Sequence, residues 1–190
     1  LAKSWERIDD YTVRFHLREN VKFHDGNRMD ADAVKFTIER AIDPDNLARV
    51  AGSLGPISGV EIVDNYTVDV KTSEKYGPVP LSMSYFLAIG IVSPEAVEKF
   101  GDDFGRNPVG TGPFKFKSWE PNEEIVLEKF EDYWSENAKL DQITYKVVPD
   151  PQSRNLMMRK GQADVLLNPQ LAQIQNYEKS SDVKVHSTPG

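Results

Sequence analysis

The stretch Asn107-Pro108-Val109-Gly110-Thr111-Gly112-Pro113-Phe114 concentrates two prolines and two glycines within eight residues. Proline fixes φ and lacks an amide donor, whereas glycine reaches φ values that other residues avoid. Such a run suits neither the interior of a helix nor a central strand. We therefore expect the chain to change direction here. Because the sequence differs in character on the two sides, we predict that the chain crosses from one domain into another at this segment.

The composition of the chain limits the classes of protein to which it can belong. It has 190 residues, a formal net charge of −7, 39% apolar residues and no cysteine. The sequence offers no basic face with interleaved aromatic residues, so we expect no nucleic-acid partner. The lack of cysteine excludes disulfides and thiolate metal sites. The sequence opens at Leu1 without a signal peptide and stops directly after an apparent strand, so we interpret it as a piece of a longer protein.

The first half of the chain shows strand and helix patterns in turn. Residues 11–17 place apolar side chains at every second position, as in a half-buried strand, and residues 21–23 resemble the returning strand. Asp30 is predicted to cap a helix that runs to about residue 41 with one apolar face. Residues 60–71 predict a β-hairpin whose two-residue loop is Asp64-Asn65.

A second helix and a second hairpin are predicted around the Pro/Gly segment. Ser93 followed by Pro94 indicates the start of a helix that ends near Gly101. Residues 114–119 and 125–129 predict a hairpin, on which we expect Tyr133 and Trp134 to pack.

The last fifty residues predict a βαβ unit. Residues 142–148 and 164–167 have strand patterns, and a helix between them starts at Asp150-Pro151 and stops at Gly161. Such a unit is expected to be right-handed with parallel strands. A helix over residues 169–179 and a last strand over residues 183–187 complete the prediction.

The titratable side chains give no sign of a metal or catalytic site. His16, His24 and His186 lack a second ligand at the spacing of zinc sites, and we predict that each is a solvated surface side chain. Asp30 and Asp32 would point in different directions on a helix, so we interpret them as a cap and a partner of the helix dipole. No hydrolase elbow, zinc-protease motif or phosphate loop is present. We therefore predict no enzyme activity and no cofactor.

The most apolar stretch, residues 81–92, is the candidate wall of a small-molecule site. Tyr85, Phe86 and Ile89 lie just before the predicted helix start at Ser93. A bound small molecule needs apolar walls and a few placed polar groups. Burial of the same side chains in the protein core explains the stretch equally well, and the sequence leaves both interpretations open.

Several segments, in this order, resemble one protein family. They are Leu1-Ala2-Lys3-Ser4-Trp5, residues 11–41 (YTVRFHLRENVKFHDGNRMDADAVKFTIERA), 93–101 (SPEAVEKFG), 107–116 (NPVGTGPFKF), 128–134 (EKFEDYW) and 161–164 (GQAD). Together they are similar to the family 5 extracellular solute-binding proteins of ABC importers, the dipeptide, oligopeptide and nickel group. The match covers nearly the whole chain.

The resemblance implies a fold and a domain organisation. The fold class is mixed α/β (α+β), as in the type II periplasmic binding proteins of cluster C. Residues 1–106 are expected to form most of a small accessory domain, and residues 107–190 part of a discontinuous first lobe. The N-terminal part of that lobe and the whole second lobe are expected to lie outside this chain.

The resemblance also implies a function without chemistry on the solute. The expected partners are a peptide or similar small solute and the membrane subunits of an ABC permease, with the chain itself monomeric. The expected location is the periplasm or the extracellular face of the cytoplasmic membrane, with a lipid anchor through a missing N-terminus. On this interpretation Tyr85, Phe86 and Ile89 form an apolar wall, and Asn107 and Thr111 lie near the hinge.

Other functions remain open from the sequence. Nickel-chelate binders of the family use an arginine in the region that matches residues 84–92, and no basic residue lies between Tyr85 and Val92 here, which favours peptide over nickel. A hydrolase whose site lies partly outside the chain, and a peptide-handling chaperone on the same scaffold, are alternatives from other classes.

Overall fold

The computed structural model describes residues 1–46, 51–84, 89–180 and 182–187. The described chain forms two compact units, Leu1–Ser118 with Val126–Ile143, and Trp119–Ile125 with Thr144–Gly190. The strands are β1 Ala2–Asp9, β2 Thr12–Leu17, β3 Ile57–Asp64, β4 Thr67–Thr72, β5 Phe114–Glu120, β6 Glu124–Lys129 and β7 Gln142–Lys146. The α-helices are α1 Ala31–Ile42, α2 Val79–Ser84, α3 Pro94–Phe100, α4 Pro151–Arg159 and α5 Leu171–Glu178, and 3-10 turns cover Pro44–Asn46, Ala51–Ser53 and Gly101–Arg106.

The first unit is built on an antiparallel four-stranded sheet in the order β1-β2-β4-β3. The period-2 pattern of β2 puts Val13 opposite Val70 of β4, and Val70 lies opposite Val60 of β3. All three valines are buried, so this row forms one layer of the core. The neighbouring row on the other face carries Arg14 and Asp69, which lie opposite each other and form an ion pair across β2 and β4.

Helix α1 covers the apolar face of the sheet. Asp30 caps it as predicted, since its carboxylate accepts a hydrogen bond of 3.3 Å from the amide of Ala33. Val34 and Ile38 are buried one turn apart, which confirms the predicted apolar face. Burial of a side chain such as Ile38 contributes about 1.5–3 kcal/mol, so this face accounts for much of the attachment of α1.

The predicted returning strand at residues 21–23 is wrong. Both edges of β2 are already occupied, by β1 on one side and β4 on the other, so no edge remains for a third partner. The segment instead follows Asn20, which has a φ of 62°, and forms only an isolated bridge between Lys22 and Arg28. Its apolar side chains, Val21 and Phe23, are fully buried in the core.

The first hairpin is confirmed with a loop one residue later than predicted. Asp64 still pairs with Thr67, so the loop is Asn65-Tyr66. The carboxylate of Asp64 accepts a hydrogen bond of 2.8 Å from the amide of Tyr66. This local bond stabilises the turn and explains the shift, because the aspartate belongs to the strand end rather than to the loop.

The helix start at Ser93 and the second hairpin are confirmed. The hydroxyl of Ser93 accepts a hydrogen bond of 3.2 Å from the amide of Ala96, and Gly101 ends α3 with a φ of 51°. The second hairpin contributes to a three-stranded sheet in the order β5-β6-β7. Trp134 differs from the expectation, because it packs against the core of the first unit.

The second unit contains α4 and α5. Asp150 caps α4 through a hydrogen bond of 2.6 Å from the amide of Ser153, and the backbone turns at Gly161 with a φ of 66°. The two helices are joined where the hydroxyl of Tyr177 donates to the buried amide oxygen of Asn155 at 2.6 Å. Both predicted helices of this region are therefore confirmed.

The predicted strands at residues 164–167 and 183–187 are wrong. Neither segment pairs with a strand of the described chain, so the βαβ unit does not form. Val165 and Leu167 are 72% and 69% exposed. A strand pattern needs a neighbouring strand for its backbone groups, and none lies beside these segments within the described residues.

The Pro/Gly segment is part of the first compact unit, together with the residues that precede it in sequence. Residues 107–118 lie in the same compact unit as residues 1–106. Neither Gly110 nor Gly112 has a positive φ, so their part in the fold is not a left-handed turn. The domain boundary at residue 106 concerns the organisation of a longer protein and stays a prediction.

A bilayer span requires about 20 apolar residues in one helix. Among the residues that the structure describes, no helix meets that requirement of length and apolarity.

Gly55 is the glycine at which we predict the largest cost of substitution. Its φ is +69°, and a Cβ would lie 2.8 Å from Cζ of Tyr76. Gly55→Ala is therefore expected to lower the free energy of unfolding by about 1–3 kcal/mol, measured by urea denaturation. The matched control is Gly110→Ala, whose Cβ would lie 3.9 Å from Cε1 of His24 and whose change is expected to stay within about 1 kcal/mol. Equal losses at the two positions would contradict this account.

Asp69 is expected to contribute stability that depends on pH. Nε and Nη2 of Arg14 donate to its two carboxylate oxygens at 2.7 and 2.9 Å, and this bonding lowers the pKa of Asp69. The stabilisation is therefore present at neutral pH and lost as the pH falls below the ordinary value of about 4. Asp69→Asn should lower the free energy of unfolding at pH 7 by about 1–3 kcal/mol and reduce its decline in acid.

The control for Asp69 is Glu61→Gln on the same face of the sheet. The carboxylate of Glu61 lies 3.0 Å from Nζ of Lys71 and is 68% exposed. Exposed pairs contribute about 0–1 kcal/mol, so this variant should behave nearly as the wild type in the same urea series. An Asp69→Asn variant with wild-type acid sensitivity would show that the Arg14 pair is not responsible.

Candidate functional site

His24 lies at the point where several of the family-like segments meet. It follows the buried Phe23 and precedes a turn at Asp25-Gly26, where Gly26 has a φ of 90°. The amide of Gly26 donates to the carbonyl of Phe23 at 2.9 Å, and the amide of Asn27 donates to the carboxylate of Asp25 at 3.0 Å. The turn thereby fixes the direction in which the imidazole of His24 leaves the backbone.

The imidazole of His24 is bonded to both glycines of the Pro/Gly segment. The amide of Gly110 donates to Nδ1 at 3.3 Å, and Nε2 lies 3.0 Å from the carbonyl oxygen of Gly112. A carbonyl can only accept and an amide N–H can only donate, so the ring is neutral with its proton on Nε2. The backbone amide of His24 donates in addition to the carbonyl of Gly110 at 2.9 Å.

The N-terminus of α3 is bonded to the same segment. The backbone amide of Ser93 donates to the carbonyl of Val109 at 3.3 Å. Its hydroxyl is fully buried and donates to the carboxylate of Asp25 at 2.6 Å. Residues 109–113, the crossover segment, are therefore held by the turn that carries His24 and by the helix cap together.

Residues 130–134 contact the stretch before His24 in antiparallel order. Nζ of Lys22 lies 2.8 Å from the carboxylate of Asp132, and the guanidinium of Arg18 lies 4.9 Å from the ring centroid of Trp134. The ring of Phe130 meets the imidazole of His24 edge to face, with centroids 5.0 Å apart.

The backbone joins the same two segments, because the amide of Phe130 donates to the carbonyl of Pro113 at 3.0 Å. We call this group the His24 junction, and it consists of His24, Asp25, Ser93, residues 109–113 and Phe130.

The surroundings of His24 keep its ring uncharged. Burial lowers the pKa of His24 most, and the positive charge of Lys115 lowers it further. The hydrogen bond to the carbonyl of Gly112 and the negative charge of Asp25 act in the opposite direction. The net pKa lies below the ordinary value, in agreement with the acceptor role that the geometry assigns to Nδ1.

The interpretation of His24 as a solvated surface side chain is wrong. The ring is half-buried and both its nitrogens are bonded to backbone groups. The sequence signal was the position of the histidine between a buried aromatic residue and a tight turn, which leaves the ring little room to reach solvent. His16 is half-buried and lies 3.2 Å from the carboxylate of Glu6, and His186 is exposed as expected.

The candidate ligand residues occupy different surroundings. Tyr85 and Phe86 lie outside the described residues. Ile89 is half-buried and packs against the core of the first unit. Asn107 is half-buried, and its side-chain amide donates to the carbonyl of Asp103 at 3.1 Å.

Thr111 is buried between the two glycines that His24 binds. No hydrogen bond among the described residues joins Ile89, Asn107 and Thr111 to one another. The geometry of the described chain thus fixes each of the three separately, and their grouping around one ligand stays a prediction.

One open depression of about 590 Å³ lies at the C-terminal end of α1. None of the candidate ligand residues lines it, and its lining residues are Phe36, Glu39, Arg40, Asp43, Asp45 and Asn46. Three of these side chains are engaged. Glu39 pairs with Lys35, the carboxylate of Asp43 accepts a hydrogen bond of 2.9 Å from the amide of Asp45, and the side-chain amide of Asn46 donates to the carbonyl of Arg40 at 2.6 Å. A depression as open as this one encloses little of a ligand, whereas small-molecule sites bury most of the surface of the ligand.

The described residues offer no assembled metal site. No group of three or more His, Cys, Asp or Glu side chains is arranged to hold a metal ion in this part of the chain. The hydroxyl of Ser93 donates to Asp25 and not to a histidine, and both ring nitrogens of His24 are occupied. What the geometry provides is a junction at which hydrogen bonds join backbone segments that are distant in sequence.

Comparison with known proteins identifies the family. The family model described as bacterial extracellular solute-binding proteins, family 5 Middle, matches residues 1–190. The glutathione-binding protein GsiB of Shigella boydii serotype 4 is 33% identical over 193 residues, covering 100% of this chain and 37% of GsiB. GsiB of Salmonella paratyphi A is 36% identical over 165 residues, covering 86% of this chain and 32% of that protein.

Solved structures show the same fold. AgaA of A. tumefaciens R10 in complex with agropinic acid has a TM-score of 0.88 and 31% identity, over 95% of this chain and 37% of AgaA. DppA of Helicobacter pylori in complex with the peptide STSA has a TM-score of 0.86 and 28% identity, over 95% of this chain and 40% of DppA. NikZ of Campylobacter jejuni in complex with Ni(L-His) has a TM-score of 0.85 and 27% identity, over 95% of this chain and 36% of NikZ.

These likenesses confirm the mixed α/β class and the type II periplasmic-binding-protein fold. The chain spans about a third of the length of the relatives that it matches. Since the family model covers the chain from residue 1 to residue 190, the chain belongs to family 5 of the bacterial extracellular solute-binding proteins, of which it is a middle region.

Proposed function

We propose that this chain is the middle part of a receptor that captures a peptide or related small solute for an ABC importer and delivers it to the permease. The observation that carries the proposal is the match of all 190 residues to the middle region of the family 5 solute-binding proteins. The likeness to DppA, solved with a peptide, and the names of the GsiB relatives, which bind the tripeptide glutathione, favour a peptide-like solute.

The mechanism that we propose is capture by closure. Two lobes close around the solute by hinge motion, and the closed form docks on the membrane subunits of the permease. A solute drives closure only if it binds the closed form more tightly than the open form. It must therefore contact both lobes, and this chain contributes one wall of the cleft. No chemical change of the solute is part of this mechanism.

The proposed domain organisation assigns residues 1–106 to an accessory domain and residues 107–190 to a discontinuous first lobe. The surface of the second compact unit supports a domain completed by other segments. Tyr177 is the one large hydrophobic side chain that is buried among the described residues of that unit. Seven large apolar side chains there are between 41% and 83% exposed: Trp119, Tyr145, Val147, Leu156, Val165, Leu167 and Leu171. Apolar surface of this extent is typical of an interface.

The proposed solute contacts are an apolar wall of Tyr85, Phe86 and Ile89, with Asn107 and Thr111 near the hinge. The bonding of Asn107 to Asp103, and of the glycines beside Thr111 to His24, supports a preorganised position for the last two. Preorganised side chains lose little conformational entropy on binding, which favours affinity.

The proposed location is the periplasm or the outer face of the cytoplasmic membrane, where the receptors of bacterial importers meet their solutes. We include a lipid anchor at the N-terminus of the whole protein in the proposal. A receptor held near the membrane encounters its permease at a raised local concentration.

A nickel chelate is the second candidate solute. NikZ, solved with Ni(L-His), is nearly as similar to this chain as DppA is. Residues 86–92 include no basic side chain, and no metal-holding group of side chains is assembled among the described residues. We therefore place the peptide first. A hydrolase and a peptide-handling chaperone are the alternatives from other classes.

The full-length receptor is predicted to be stabilised by its solute without consuming it. A solute that binds only the folded protein at about 100 times its Kd adds about 2.7 kcal/mol to the free energy of unfolding. We expect thermal shifts with glutathione or short peptides such as STSA that exceed those with Ni(L-His). Native mass spectrometry should recover the bound solute unchanged.

Loss of the solute with appearance of its products would instead show a hydrolase, and preferential protection of unfolded proteins would show a chaperone. The 190-residue chain alone serves as a control, since one wall of a cleft should bind far more weakly than the full-length receptor. Equal affinity of the two, by calorimetry, would contradict capture between lobes.

The candidate contacts can be tested by substitution in the full-length receptor. Thr111→Ala and Tyr85→Ala are expected to weaken binding of the recovered solute about tenfold each, because each removes about 1.4 kcal/mol of contact. The control is Ser73→Ala, an exposed hydroxyl at the end of β4. Calorimetric titration gives the affinities. Wild-type affinity in both variants would exclude these residues from the site.

A further inference from the structure

We propose that His24 is a pH-sensitive latch, whose neutral imidazole holds the crossover segment in place and whose protonation releases the segment at Gly110. The inference rests on the bonds that the two ring nitrogens make and on the position of Thr111 between the bonded glycines. It concerns the conformation of residues 109–113 and does not require any particular solute.

The two ring nitrogens respond differently to a proton. In the neutral ring, Nδ1 offers a lone pair to the amide of Gly110 at 3.3 Å. Protonation places an N–H on Nδ1, so that two donors face each other and this hydrogen bond is lost. The bond from Nε2 to the carbonyl of Gly112, at 3.0 Å, survives protonation. Release therefore begins at Gly110, while Gly112 stays attached.

The charged groups around the ring decide how readily it takes up a proton. Lys115 on β5 opposes protonation and is itself 3.0 Å from the carboxylate of Glu128. Asp25 favours protonation, but its carboxylate already accepts the hydroxyl hydrogen bond of Ser93 at 2.6 Å.

Two further sets of charges lie on the packed elements. Oε2 of Glu95, on the first turn of α3, lies 3.2 Å from the hydroxyl of Ser93. Lys22 and Asp132 beside the Phe130 segment form a pair of their own at 2.8 Å. None of these groups is a free carboxylate directed at Nδ1 in the described contacts, so the imidazolium gains no strong partner there.

The direction of the pH effect follows from the lowered pKa of His24, of which burial is the chief cause. A group whose basic form is favoured by folding contributes its full stabilisation above its unfolded pKa of about 6.5. That contribution is lost progressively as the pH falls from this value through the lower pKa of the folded state. The crossover segment should therefore be closed at neutral pH and open in acid.

Opening of the segment would move Thr111. The threonine is buried and lies between Gly110 and Gly112, so its position depends on both bonds to His24. A solute contact through Thr111 would then weaken in acid; this consequence rests on the proposed function, whereas the latch does not.

Amide hydrogen exchange of Gly110 in the full-length protein tests the latch directly. From about pH 7.5 to about pH 4.5, we expect the protection factor of Gly110, corrected for intrinsic exchange, to fall at least tenfold. Amides in the middle of β4 should keep their protection over the same range. A protection factor of Gly110 that is independent of pH, or that falls only together with β4, would overturn the proposal.

Two variants separate the latch from general acid sensitivity. His24→Gln retains an acceptor and a donor but does not titrate. In this variant the protection factor of Gly110 should lose the step between about pH 7.5 and about pH 4.5 that protonation of His24 causes in the wild type. His16→Gln, which removes the histidine near Glu6 on the outer face of the sheet, should keep the step. A step that persists in His24→Gln, or disappears in His16→Gln, would contradict the assignment to His24. The wild-type titration decides the question even if His24→Gln does not fold.

Discussion

The arrangement of the first unit depends on the hydrogen bonds of the neutral imidazole of His24. One ring nitrogen accepts from the amide of Gly110, and the other donates to the carbonyl of Gly112. These groups lie 86 and 88 residues from the histidine in sequence. Hydrogen bonds between such distant segments bring together backbone that has no helix or sheet to hold it. The amide of Gly110 and the carbonyls of Gly110 and Gly112 all have hydrogen-bond partners. The crossover segment can therefore be partly buried without the free-energy cost of unpaired backbone groups.

The junction joins the elements that give the family its recognisable sequence. The segment FHDG supplies the imidazole and the turn, SPEA supplies the helix cap at Ser93, and GTGP supplies the bonded backbone. The segment EKFEDYW supplies Phe130 against the ring and Asp132 against Lys22. These contacts join the four motifs to one another.

Much of the fold could be predicted because the relevant interactions are local. Asp30, Ser93 and Asp150 each accept a hydrogen bond from an amide three residues later, so the cap and the start of the helix are visible in a short window of sequence. The prediction of a strand over residues 21–23 is wrong because the pattern of a strand does not reveal that β2 is already paired on both sides. The predicted strands at residues 164–167 and 183–187 failed for a related reason, since a strand requires a partner that the described chain does not offer them. The role of His24 was missed because its partners are distant in sequence. For the candidate site, Asn107 and Thr111 are well defined, whereas Tyr85 and Phe86 lie outside the described residues.

The tautomer of His24 tests the central claim most directly. The ¹⁵N chemical shifts of the labelled imidazole at neutral pH distinguish a protonated from an unprotonated ring nitrogen, because the two types differ widely in shift. The account predicts a neutral ring with the proton fixed on Nε2 and Nδ1 unprotonated. A proton on Nδ1, a charged ring at neutral pH, or rapid averaging between tautomers would show that His24 does not hold the crossover segment.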